Sequence, residues 1–124
     1  MDVVDKRYAN AIVLQVGGRL DQDTCEGFRP QLTGYVERAV REESALILDF
    51  SRLEYVSSAG LRCLLMASRQ AKAAKGRILV AGMQSMVAEI FSISHFNLLF
   101  EVVPTVREAL AAVSAEAAAA FQQG

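Results

Sequence analysis

"LILDFSRLEYVSSAGLRCLLMASRQAKAAKGRILVAG", residues 46–82, reads as strand, helix and strand in turn. With Ala45 ahead of it, "ALILDF" (45–50) is a short, almost unbroken apolar run, the pattern of a central strand covered on both faces. Leu61, Leu64, Leu65, Ser68 and Ala71 then share one side of a helix reaching Lys75, where Gly76 offers a stop. "RILVAG" (77–82) is a second buried strand. Between the first strand and the helix stand Ser57 and Ser58. Either can cap the helix, since a hydroxyl there accepts from the free backbone N–H groups of the first turn. The same place suits a phosphoryl group, which the positive end of the helix stabilises. Both uses remain open at this point.

Working outward, Ile12, Leu14 and Val16 alternate through "AIVLQVGGRLD", a strand buried on at least one face. Residues 3–8 read as an edge strand turned back at Ala9-Asn10. Asp21, Asp23 and Thr24 supply N-cap chemistry for a helix to about Glu43, whose core stripe is Leu32, Tyr35, Val36, Ala39 and Val40. Pro30 predicts a loose first turn, with the regular helix starting near Arg29. Downstream, residues 84–94 read as a helix with Met86, Val87, Ile90 and Phe91 inward, and "LLFEVV" (98–103) as a last strand. Thr105 caps a final helix over "VREALAAVSAEAAAAF", whose Ala-rich end has little to bury and is expected to fray. The succession predicts one α/β domain with a mixed, mostly parallel sheet and about four α-helices. Its body spans 1–110, and 111–124 is an Ala-rich helical extension.

The 124 residues carry 52% hydrophobic and 22% charged side chains and a net charge of −1, the balance of a single globular domain. No basic arm exists, which argues against nucleic acid. No stretch has the length and polarity of a membrane span, and the acidic, polar start is unlike a secretion signal, so a cytoplasmic protein is expected. Cys25, Cys63 and the single His95 cannot assemble a metal cage, and Cys63 reads as a buried free thiol. No cofactor is expected. Gly17-Gly18 follows a strand without any phosphate-loop pattern and reads as a bulge. A serine hydrolase elbow needs glycine two places before the nucleophile, which neither serine has, so no catalytic residue is assigned. The carboxylates Asp21, Asp23, Asp49 and Glu54 read as caps and solvated turns, although strand-end loops place Asp21, Asp49 and Ser58 on one edge of such a sheet.

Residues 46–82 together resemble the core signature of the STAS-domain family. "VGGRLDQDT" is similar to that family's loop between second strand and first helix, and "MVAEIFSISHFNLLFEVVPTVREAL" to its closing helix-strand-helix. The resemblance covers nearly the whole chain and implies a STAS-type single domain acting as a bacterial anti-sigma factor antagonist. In such partner switching, the unmodified domain binds a serine kinase that doubles as an anti-sigma factor. The kinase phosphorylates a serine at the start of the second helix, and a serine phosphatase reverses the mark. Aligning Gly60-Leu61 with the family pattern Asp-Ser-Ser/Thr-Gly-Leu puts the acceptor on Ser58, with Ser57 as the alternative. Asp21 matches a loop acidic residue that contacts the kinase, and Asp21, Ser57, Ser58, Gly60 and Leu61 make up the implied docking edge. Two positions depart from the pattern: Ser57 stands for the usual Asp, and Ala59 for Ser or Thr. The resemblance equally accommodates a non-switching STAS subunit, as in lipid-transport complexes, where Ser58 is only part of a helix start.

Overall fold

The computed structural model describes residues 1–123. Strand β1 (Asp2–Tyr8) and strand β2 (Ala11–Leu20) form an antiparallel hairpin across Ala9-Asn10, with Ala9 at φ 55. Strands β3 (Ala45–Val56), β4 (Arg77–Ala81) and β5 (Glu101–Val103) continue from β2 in parallel, so the order is β1-β2-β3-β4-β5. Because each parallel strand is laid beside its predecessor, right-handed crossovers place all three connecting helices on one face. These are α1 (Gln22–Arg41), α2 (Ser58–Ala73) and α3 (Ser85–Ile93). The expected mixed, mostly parallel α/β sheet is what the chain builds.

Strand alternation divides the core in two. Ile12, Leu14, Leu46, Leu48, Ile78 and Val80 meet Phe28, Leu32, Leu64 and Phe91 under α1–α3. Ala11, Val13, Ala45, Ile47, Leu79 and Ala81 face α4 (Val106–Val113) and α5 (Ala115–Gln123). That second face carries small residues, so the two helices can lie close over it.

Several boundaries differ from expectation, each for a physical reason. Helix α1 starts at Gln22 and runs unbroken through Pro30 rather than starting near Arg29. A full capping box, Asp21 with Thr24, fixes its first turn, and Pro30 lies on the exposed side. At the end of α2, Lys75 rather than Gly76 takes the left-handed conformation, at φ 59. Gly76 is held instead by a close approach, for a Cβ there would lie 2.8 Å from Val40 Cγ2.

Strand β3 runs six residues past Phe50, which the apolar run alone did not predict. Gln15 pairs with Asp49 and Gly17 with Arg52, two steps along β2 against three along β3, so β3 bulges there. In α3, Met86 is 58% exposed instead of buried, and Val87 and Phe91 carry the packing. Residues 96–98 form a 3-10 turn, which shortens β5 to three residues. The expected last helix is two. Ser114 breaks it by donating from its hydroxyl to Asn10 Oδ1 (2.6 Å) while accepting from Ala117 N (3.0 Å). The part expected to fray is packed: Ala117 is fully buried, and the rings of Phe121 and Tyr8 meet edge-on at 5.4 Å. Gly124 lies outside the described residues.

Candidate functional site: the end of strands β2 and β3

Strands β2 and β3 outrun β4, whose last residue Ala81 pairs with Asp49. They end together where Leu20 pairs with Val56 and Ser57 N donates to Leu20 O at 2.9 Å. Helices α1 and α2 both begin here, so Asp21 and the Ser57-Ser58 pair are brought side by side. Asp49 is not. It lies seven residues back along β3, 8% exposed, with Oδ1 accepting from Ser51 N at 3.0 Å. The expected trio of Asp21, Asp49 and Ser58 is therefore a pair of sites without Asp49.

The two serines do different things. Ser57 is the N-cap, with extended backbone and Oγ accepting from Gly60 N at 3.2 Å. Ser58 is the first helical residue and is exposed, and its hydroxyl takes no part in the capping. Asp and Ser are comparably good N-caps. Serine here, where the family resemblance implies Asp, therefore keeps the cap and drops a charge.

Asp21 is also a cap. Its Oδ1 accepts from Asp23 N (3.0 Å) and Thr24 N (3.2 Å), while Oδ2 lies 3.7 Å from Arg19 Nε. The Arg19 guanidinium in turn sits over the Tyr55 ring, 4.4 Å from its centroid. Tyr55, Arg19 and Asp21 thus form a connected strip beside Ser58 that the sequence reading missed. The signal was indirect: Arg19 and Tyr55 become partners only through a second register shift, between Gly18 and Arg19, beyond the bulge at Gly17. Asp21→Ala should cost about 1 kcal/mol by removing the cap, whereas Asp21→Asn keeps an acceptor and removes only the charge. Urea unfolding of both variants checks this, and Asn is then the clean probe of Asp21 in docking.

Gly60 and Leu61 support the edge from below. Gly60 is buried, and a Cβ there would lie 2.5 Å from Leu20 O. Leu61 is half-buried against the main core. Cys63 is buried as a free thiol, and burial pushes its pKa up, with Arg29 opposing. His95 is exposed at φ 61 beyond the C-terminal end of α3, whose N-terminal end follows β4. A helix returning from the carboxyl ends of parallel strands ends at their other edge, so His95 is not a base for Ser58. Among the described residues, no group of three His, Cys, Asp or Glu could hold a metal ion, and no helix is long and apolar enough to cross a membrane.

This arrangement of sheet and helices is shared with solved structures. A family profile described as "Mlab, STAS domain" matches residues 4–104. The chain belongs to the STAS-domain family. It is 31% identical over 112 residues to a Bordetella bronchiseptica protein described as a candidate anti-sigma factor antagonist, BtrV, covering 90% of each chain. Its fold is similar to that of the anti-sigma factor antagonist SpoIIAA in its unphosphorylated form (TM-score 0.72, 23% identity, 90% of this chain and 96% of that one). It is also similar to the Bacillus cell fate determinant SpoIIAA in its phosphorylated form (TM-score 0.64, 21% identity, 90% of this chain and 99% of that one).

Proposed function

We propose that this domain is an anti-sigma factor antagonist of a cytoplasmic partner-switching pathway, switched by phosphorylation of Ser58. The observation that carries the reading is the division of labour between the serines. Ser57 holds the helix start, so Ser58 can be modified without removing a cap. The likeness to BtrV and to SpoIIAA, which exists in a phosphorylated form, supports the same role.

In this reading the unmodified edge, with Asp21, Ser57, Ser58 and the flank of Leu61, docks on a serine kinase that is also the anti-sigma factor. Gly60 contributes by letting α2 sit close on β2. The kinase transfers the γ-phosphoryl group of ATP to Ser58 Oγ, the hydroxyl proton leaves and ADP is released. A serine phosphatase returns the hydroxyl by hydrolysis. The domain is the substrate and supplies no catalytic group or cofactor of its own.

Phosphate mapped by mass spectrometry on protein isolated from its own cells tests this. The mark is expected on Ser58, lost in Ser58→Ala and kept in Ser57→Ala. Protein unmodified at both serines under all growth conditions would overturn the reading. A stoichiometric complex indifferent to ATP would then make the domain a non-switching subunit.

A further inference from the structure

Arg62 stands four residues after Ser58 on α2, and both are exposed or half-exposed. Positions i and i+4 differ by about 40° in direction and by about 6 Å along the axis, so they share one helix face. Helical side chains lean toward the N-terminus, which carries a long Arg62 side chain back over the first turn. The ordering is also the favourable one, with the anion N-terminal to the cation.

Among the described residues, Arg62 has no ion-pair partner, the ion pairs being those of Arg7, Arg19, Arg38 and Arg77. On the neighbouring elements, Asp23, Glu26 and Arg29 of α1 and Glu54 of β3 are exposed charged groups as well. Arg19 and Asp21 at the end of β2 face each other at 3.7 Å, and the Arg29 charge of α1 opposes the upward shift of the Cys63 thiol.

We propose that Arg62 is the domain's own receptor for the Ser58 phosphate. The inference rests on the reading that Ser58 is modified, and it specifies the modified state. A guanidinium matches phosphate oxygens with two parallel N–H donors, which a lysine ammonium cannot do. On phosphorylation the clasp forms within one turn. The edge then changes in two ways: an anion appears at Ser58, and the cation at Arg62 is withdrawn from any partner. The phosphate is held flat along α2 instead of projecting from it.

The test uses the full chain with phosphoserine introduced at position 58 by encoded synthesis, so no kinase is needed. Phosphorus NMR titration at low salt reads the second ionisation of the phosphate. It is expected about 0.3 pH units lower with Arg62 present than in the Arg62→Gln variant, the shift that a helical pair of this spacing produces. Arg62→Lys should recover part of that shift, and high salt should shrink it. Equal titration of the parent and the Arg62→Gln variant, with both shown folded by circular dichroism, would overturn the clasp. Failure to find phosphate on Ser58 in cells would instead overturn the function proposed above and leave this measurement standing.

Discussion

Gly60→Ala is expected to destabilise the domain by about 1–3 kcal/mol, the range of an overpacked core position. Alanine usually improves a helix, so the sign needs its reason. The added methyl would sit 2.5 Å from Leu20 O, 2.9 Å from Leu20 Cγ and 3.1 Å from Val56 Cγ1. Two of these belong to side chains that can turn aside, but the carbonyl is backbone and is fixed by accepting from Ser57 N at 2.9 Å. Relief therefore requires the start of α2 to move off the end of β2, which strains the strand-end pairing of Leu20 with Val56.

Gly27 and Gly34 in α1 are the internal control, because a Cβ at either meets nothing within 4 Å. Alanine at each should stabilise by about 0.5–1 kcal/mol, the ordinary helix preference over glycine. Urea midpoints of the three variants, measured side by side, check the opposite signs. A Gly60→Ala protein as stable as the parent would mean that α2 is not pressed against β2.

The contrast shows where sequence is informative and where it is not. Apolar periodicity located β2, the first half of β3, β4 and the stripes of α1 and α2, since burial of alternate or every third to fourth residue leaves its mark directly on composition. It failed where the structure is decided by pairing with a distant strand. "SRLEYV" is too polar to read as a covered strand, yet it becomes one because the end of β2 lies beside it in bulged register. The break at Ser114 was hidden for a similar reason. Its hydroxyl bonds to Asn10, a partner 104 residues away. Met86 had the spacing of a core residue on a helix too short for spacing alone to fix its buried face.

At the candidate site, the sequence pattern identified the serines but not their separate tasks. Those follow from a one-residue difference in backbone: Ser57 is extended and Ser58 is helical. Arg19 and Tyr55 carried no motif at all.

Phosphorylated Ser58 is expected to bind the partner kinase about a thousandfold more weakly than the unmodified protein, a difference of about 4 kcal/mol. The magnitude follows from what an interface shaped around a neutral hydroxyl must do with a phosphate. Phosphate brings a charge of about −1.5 to −2, and its three oxygens lose hydration without gaining donors from the partner. Within the free domain the same group is not costly. The helix start offers it a favourable field, worth up to about 2 kcal/mol in good geometry. The two environments thus push in opposite directions. Affinity should collapse while the melting temperature of the isolated domain stays level or rises.

That pairing of results separates a switch from damage, because a modification that merely unfolded α2 would lower both. Ser58→Glu carries one charge at the same place and should weaken binding about tenfold, between parent and phosphoprotein. Ser58→Ala should bind like the parent. Titration calorimetry against the kinase, with thermal melts of each form alone, gives both readings. Phosphorylated protein that binds within about threefold of the parent would show that the hydroxyl at position 58 is not what the partner reads.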